Sequence, residues 1–256
     1  VANRNTLNIA IGFLNFGRPF NHIVDIISDL ILFQKKFQIH IATNDTSKIS
    51  DWNFFQDKQI NIIDIDKSKS VAFGKNQLLK KFHDDGIDIG IIIEDDIIIS
   101  DINILDEYID LMVDYNVGTI FCGFCGQGNN VFQKPNPRIV VTVPNRTVMF
   151  NAMPDSGIQL FNLKINKELF NENLMYLEQK EYLIRLKSAN LLPFLGVFLD
   201  IDKSYQSVKS DTTWKSVRPK NSIEMMIESQ LLQKSGLKYD TTNNLDEVVK
   251  FATGVK

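Results

Sequence analysis

Hydrophobic and polar positions along this chain follow two periods that take turns. TLNIAIGF, from Thr6 to Phe13, is rich in β-branched residues and stops at NFGRP, where Gly17 and Pro19 mark a turn, so it predicts a first strand. In FNHIVDIISDLILFQKKF the apolar residues Ile23, Ile26, Ile27, Leu30, Ile31 and Phe37 keep the spacing of one helical face. QIHIAT then reads as a second strand, INIIDID as a third, and VAFGKNQLLKKFHDD as a helix. The continuous apolar run of IDIGIII predicts a strand buried on both faces. ILDEYIDLMVDY returns to the helical period and VGTIFCGF to the extended one. Such alternation predicts an α/β fold with a mainly parallel sheet.

After about Gly126 the texture changes. GQGNNVFQKPNPRIVVTVPNRTVMFNAMPDSG mixes prolines with short β-like pieces and reads as an insertion or as a second, acceptor-side half. SGIQLFNL predicts another strand, and ENLMYLEQKEYLIRLKSAN a helix that packs through Leu174, Leu177, Tyr182, Leu183 and Leu186. PFLGVFLDI is a further strand, KSYQSVKSDTTWKSVRPKNS a polar mobile loop, and IEMMIESQLLQKSG a closing helix. Neither a repeat nor a low-complexity linker divides the chain. The expected organisation is one domain over 1–256, with a first half at 1–125, a second at 126–220 and a helical C-terminal segment at 221–256.

Composition narrows the function classes. With 256 residues, 44% hydrophobic and 23% charged, the chain can bury a sizeable core. A net charge of -3 argues against a nucleic-acid-binding scaffold, which needs a basic excess or stripe. No apolar run reaches the roughly 18 residues of a membrane span, and VANRNTLNIA lacks a signal-peptide core, so a cytoplasmic place is expected. A first residue other than Met leaves room for a longer parent chain. Cys122 and Cys125 form a CxxC that reads either as a redox pair or half a zinc site, or as small buried residues at a strand end.

The strongest chemical signal is GIIIEDDIIISD, Gly90 to Asp101, where Glu94, Asp95 and Asp96 interrupt two isoleucine runs. Ligands of open α/β sheets bind beyond the carboxyl ends of the strands, and the triplet stands where such a strand runs out. By two-residue alternation Glu94 and Asp96 project to one side and Asp95 to the other. Two carboxylates facing one way need a counter-charge; oxygen ligands suit Mg2+ or Mn2+. Acidic clusters also cap the helix that follows, as Asp101 does ahead of INILDEYIDLM. A response-regulator receiver would need a phosphoacceptor Asp that NPRIVVTV lacks, and IIIS does not supply the pattern of a haloacid-dehalogenase-like phosphatase.

Taken in order, the first strand and helix, IATNDTSKISD, FGKNQLLKKF and IDIGIIIEDDIIISD resemble the nucleotide-sugar-binding half of a GT-A fold glycosyltransferase, over roughly residues 6 to 202. The triplet stands where those enzymes keep a DxD motif. Its E-D-D form resembles that of the animal N-acetylglucosaminyltransferases that extend mannose, whereas the layout is closer to bacterial family-2-like transferases. The resemblance implies a GT-A (Rossmann-like, nucleotide-diphospho-sugar transferase) fold with helices on both sides of the sheet. It implies donor contacts from Asn15, Arg18, Asp45, Asp66, Lys75, Asn76, Glu94 and Asp95, and a Mn2+ or Mg2+ ion held by Asp96 with Glu94. Isoleucine, asparagine and lysine are abundant, which is compatible with an AT-rich bacterial source.

Inverting enzymes of this fold deprotonate the acceptor hydroxyl with a carboxylate. The family's Glu-Asp-x-Asp-x-x-x-Arg resembles Glu178-Gln179-Lys180-Glu181-Tyr182-Leu183-Ile184-Arg185, which departs from it at Gln179. The candidate bases are therefore Glu181, Glu178 and Asp155 of MPDSG, against the plain reading of a solvated helical face with Glu181 and Arg185 paired four apart. Relatives supply a metal-binding His after the last core strand; DIDKSYQSVKS has none, leaving Asp200, Asp202, Lys203 or Lys209 to compensate. Trp214 and Arg218 fit a lid over the donor or an ordinary loop.

The resulting expectation is a metal-dependent, inverting glycosyltransferase that moves a sugar from a nucleotide-sugar, foremost a UDP-sugar, to a glycan, glycoprotein or glycolipid. Retention instead of inversion stays open, as does peripheral association with the inner face of a membrane. Two alternatives stand beside it: a sugar-phosphate nucleotidyltransferase, for which NFGRPFNH is a poor fit, and a non-catalytic sugar-binding module, which Gln179 and the missing His make possible.

Overall fold

The computed structural model describes residues 6–16, 21–32, 37–44, 60–95, 97–99, 102–114, 116–123, 139–143, 146–150, 156–174, 178–188, 194–199, 205–207 and 240–241. In chain order the elements are β1 (Ile9–Asn15), α1 (Asn21–Leu32), β2 (Gln38–Thr43), β3 (Asn61–Asp64), α2 (Val71–Asp84), β4 (Ile89–Glu94), β5 (Ile97–Ile99) and α3 (Ile104–Asp114). They continue with β6 (Thr119–Gly123), β7 (Ile139–Val143), β8 (Arg146–Phe150), β9 (Ser156–Asn162), α4 (Glu178–Ser188), β10 (Phe194–Leu199), β11 (Tyr205–Ser207) and β12 (Asp240–Thr241).

Ten strands form one sheet in the order β12-β7-β8-β10-β6-β9-β4-β1-β2-β3. The block β3-β2-β1-β4 is parallel throughout, and β6–β10 and β7–β12 are parallel too. β9 runs antiparallel between β4 and β6, and β8 antiparallel between β7 and β10. The expected mainly parallel sheet with helices on both sides is thus present, with its direction reversed locally at β8 and β9. A separate antiparallel pair joins β5 to β11.

Alternation along the strands sorts side chains between two layers. Ile11 and Phe13 of β1 and Ile89, Ile91 and Ile93 of β4 share a core with Ile23, Ile26, Ile27 and Leu30 of α1 and Leu105, Tyr108, Ile109 and Met112 of α3. Ala10, Leu14 and Ile92 meet the opposite layer, Leu78, Leu79 and Phe82 of α2 and Tyr182, Leu183 and Leu186 of α4. On that side α2 lies directly on the sheet. A Cβ at Gly90 would stand 2.5 Å from Phe82, and one at Gly12 would stand 2.8 Å from Leu78, so the absence of a side chain sets the approach. Ser70 caps α2 by accepting from Phe73 N at 3.2 Å, and Gly86 (φ 67°) takes the left-handed conformation after the helix ends.

Two expectations change. The helix foreseen from Glu172 begins at Glu178: residues 171–174 form a turn, where Asn171 Oδ1 accepts from Asn173 N and competes with helical bonding. The polar segment foreseen as a mobile loop contains β11, because Tyr205, Gln206 and Ser207 find backbone partners on β5. The expected terminal helix, the Asp101 cap, Trp214 and Arg218 lie outside the described residues. Cys122 is buried in the α1/α3 core, the small-residue reading of its motif, and burial pushes its thiol pKa up; Cys125 lies outside the described residues. Among the described residues no helix is long and apolar enough to cross a membrane.

Candidate functional site

The acidic strand end splits between the two layers of the sheet. Glu94 follows Ile92 toward α2 and α4, whereas Asp95 turns to the β1 side. Asp95 Oδ2 accepts from the backbone N–H of Phe16 at 2.9 Å and from Asn15 Nδ2 at 3.2 Å. Thr43 Oγ1 donates to Asn15 Oδ1 at 2.9 Å. The ends of β4, β1 and β2 are therefore tied by one hydrogen-bonded chain, buried at all three side chains.

Glu94 meets a cation. Lys75 sits on the buried stripe of α2 with Ala72, Leu78, Leu79 and Phe82, a position that usually takes an apolar residue. Its Nζ lies 2.8 Å from Glu94 Oε1 and 2.8 Å from Glu178 Oε1, and 5.3 Å from the centre of the Phe170 ring. Burial alone lowers the Lys75 pKa, but the charges of Glu178 and Glu94 outweigh it and raise it above the ordinary lysine value, so the group stays protonated. Gln179 Nε2 donates to the same Glu94 oxygen at 2.8 Å and Gln159 Nε2 at 3.3 Å. Four elements, α2, β4, β9 and the first turn of α4, thus converge on one carboxylate oxygen. Lys75 is wholly buried while Glu94 keeps 26% of its side chain exposed, so a ligand would meet the cluster from the Glu94 side.

The remaining expected residues take other places. Asn76 holds the chain at 170–172: its Nδ2 donates to Phe170 O at 3.0 Å and Glu172 Oε1 at 2.8 Å, and its Oδ1 accepts from Phe170 N at 2.8 Å. Asp66 stands in the exposed turn after β3 at the sheet edge. The backbone N–H of Ser68, at 2.8 Å, holds its carboxyl below the usual range. Glu181 faces Arg185 at 3.0 Å; that guanidinium also binds Glu168 at 2.6 Å and Leu169 O at 2.7 Å, fastening 168–169 to α4. Arg18, Asp45, Asp96 and Asp155 lie outside the described residues.

Glu94, Lys75 and Glu178 are therefore brought together, Asn15 and Asp95 form a second group, and Asp66, Asn76 and Glu181 take the other places just described. Sequence reasoning overlooked Gln159 and Thr43. Gln159 had a signal: an amide in the middle of the apolar strand SGIQLFN, buried on both faces, requires a polar partner. Among the described residues, no group of three or more His, Cys, Asp or Glu is placed to hold a metal ion. The counter-charge expected from a divalent ion comes to Glu94 from Lys75, and Asp96, the expected metal ligand, lies outside the described residues.

No family model matches the sequence, and no curated protein matches it. Solved structures do match. S. aureus TarS 1–349 in complex with UDP-GlcNAc superposes with a TM-score of 0.63 at 11% identity, covering 95% of this chain and 70% of that one. The longer S. aureus TarS gives 0.58 at 12% identity, covering 89% of this chain and 43% of its own. The mannosyltransferase PcManGT from Pyrobaculum calidifontis, in complex with GDP-Man and Mn2+, gives 0.56 at 11%, covering 92% and 73%. At these identities the likeness is one of architecture, and the architecture of this chain is the GT-A α/β fold.

Proposed function

We propose that this protein is a glycosyltransferase that takes a sugar from a nucleotide-sugar donor and passes it, with inversion, to a glycan, glycoprotein or glycolipid acceptor in the cytoplasm. One observation carries the reading: the carboxyl end of β4, in a fold whose solved examples hold UDP-GlcNAc and GDP-Man, bears an acidic triplet backed by a buried, protonated lysine. In this reading the donor lies across the ends of β1, β2 and β4. Asn15, Asp95 and Thr43 hold the backbone there, and Arg18, Asp45 and Asp66 are the further donor contacts.

Asp96, with the exposed side of Glu94, would hold Mn2+ or Mg2+, which neutralises the diphosphate and so eases its departure. Glu181 is assigned the proton acceptor for the acceptor hydroxyl: it lies in the first turn of α4, and Arg185 Nε, 3.0 Å away, orients it. Glu178 is the more deeply engaged of the two acids, tied to Lys75. A second reading, a sugar-binding module without turnover, draws support from Gln179, which presents an amide to Glu94.

Calorimetric titration of UDP, GDP, UDP-GlcNAc and GDP-mannose, with and without Mn2+, tests the proposal on the wild type and on Asp96→Ala. Metal-dependent binding of one nucleotide, lost in Asp96→Ala, is the expected result. Absence of binding, or binding indifferent to both metal and Asp96, overturns it. Binding without donor turnover in the presence of glycan acceptors selects the module.

A further inference from the structure

We infer that Lys75 is a positioning residue that locks the first turn of α4 onto the acidic end of β4, with Glu178 and Glu94 as its two anchors. The inference rests on the proposed transferase function only for its kinetic consequences. Its geometric basis is independent: a fully buried ammonium equidistant, at 2.8 Å, from two carboxylates on separate elements, with Gln179 adding a direct bond from α4 to Glu94. A wholly buried lysine with two anionic partners is too constrained to act as a mobile solvent-shared contact.

The two ends of α4 are held differently. Its later turns are held by packing, with Tyr182 stacked on Phe170 at 4.5 Å between ring centres and Leu183 and Leu186 buried, and by Arg185, which binds Glu168 and Leu169 O. The first turn carries Glu178, which binds Lys75, and Gln179, which binds Glu94. That turn also carries Glu181. Removing the lysine therefore loosens the part of α4 on which the assigned proton acceptor stands, leaving the Gln179–Glu94 bond there, while the rest of the helix stays packed. A carboxylate displaced by about 1 Å loses on the order of a hundredfold in rate with little change in donor affinity. Glu178 in this arrangement touches Lys75 and acts through it.

The test uses the full chain with Lys75→Met and Glu178→Gln, read by hydrogen–deuterium exchange, calorimetry with UDP and GDP plus Mn2+, and turnover of UDP-GlcNAc and GDP-mannose across pH. Lys75→Met should speed exchange of the 182–185 amides, whose helical partners are the carbonyls of 178–181, by about tenfold or more beyond whatever increase α2 and β4 share. Its kcat should fall about a hundredfold, with nucleotide Kd read beside it to separate any change at Glu94. Glu178→Gln keeps an oxygen for Lys75, so exchange and the shape of the pH–rate profile should stay as in the wild type. Should Lys75→Met fail to fold, Glu178→Leu removes the α4 anchor alone and must give the same local exchange pattern. Wild-type exchange in the anchor-free variant, or loosening spread evenly over the sheet, overturns the inference, as does loss of the acid limb of the profile in Glu178→Gln, which would make Glu178 the proton acceptor. If the wild type binds neither nucleotide, the transferase reading fails, and the exchange pattern alone decides for or against the lock.

Discussion

The two layers of this sheet handle polarity in opposite ways. Beneath α1 and α3 the core is Ile, Leu, Val, Met, Phe, Tyr and Cys, and the acidic neighbour described at its strand end, Asp95, is met by neutral donors from Asn15 and Phe16. Beneath α2 and α4 the same sheet buries His40, Lys75, Gln159 and Glu178 among leucine and phenylalanine. One layer is a scaffold that merely ends in a carboxylate; the other has charge built through it. The difference teaches where substitution should be felt most. Neutral donors can be lost one at a time, but removing a buried ammonium strands two acids at once.

Lys75→Met should therefore give the largest effect, a loss of about 3–5 kcal/mol in urea unfolding. Adding Glu94→Gln and Glu178→Gln should recover most of it, because the stranded charges disappear with their partner. If the triple variant stays as unstable as the single one, charge is not what separates the layers. Asp95→Ala should cost less, because the partners it leaves behind, the Phe16 N–H and the Asn15 amide, are neutral. A loss as large as that of Lys75→Met would erase the contrast.

The smallest effect is a pH dependence. His40 is buried against Phe82, with ring centres 5.4 Å apart, and its Nε2 lies 3.5 Å from Asp85, beyond good hydrogen-bonding geometry. Burial lowers its pKa, which Asp85 opposes and Lys81 assists. A folded-state pKa below the unfolded value means stability is complete above about pH 6.5 and declines as pH falls through that region, by at most about 1.4 kcal/mol per pH unit. His40→Gln should flatten the decline between pH 7 and 5 relative to the wild type; an unchanged slope would show that the ring carries no part of it.

Much of the fold was readable because period and burial agree. QIHIAT is β2 residue for residue, and the isoleucine run of β4 proved to be a central strand with partners on both sides. The start of α4 was not readable: ENLMYL has helical spacing, but Asn171 and the contacts of Glu172 with Asn76 and Ser70 hold the preceding chain in a turn. β11 was hidden for a similar reason, since a three-residue polar strand exists only through its distant partner. At the site, the strand-end acids were visible from sequence, and alternation assigned Glu94 and Asp95 to different sides. That Lys75 would face two acids was not, because α2's own pattern cannot say what the end of β4 and the first turn of α4 bring beside it.

The pairing of Ile97–Ile99 with Tyr205–Ser207 bears on how the protein is made. β1, α1 and β2 are neighbours in sequence and can associate as soon as they leave the ribosome, whereas Lys75 waits for Glu178 and the strand beyond the acidic triplet waits for residue 207. Contacts so distant along the chain form late. A nascent chain that stops short of Glu178 would hold the first parallel strands yet carry Lys75 and Glu94 without their third partner, so the charged layer is completed only once α4 has been made.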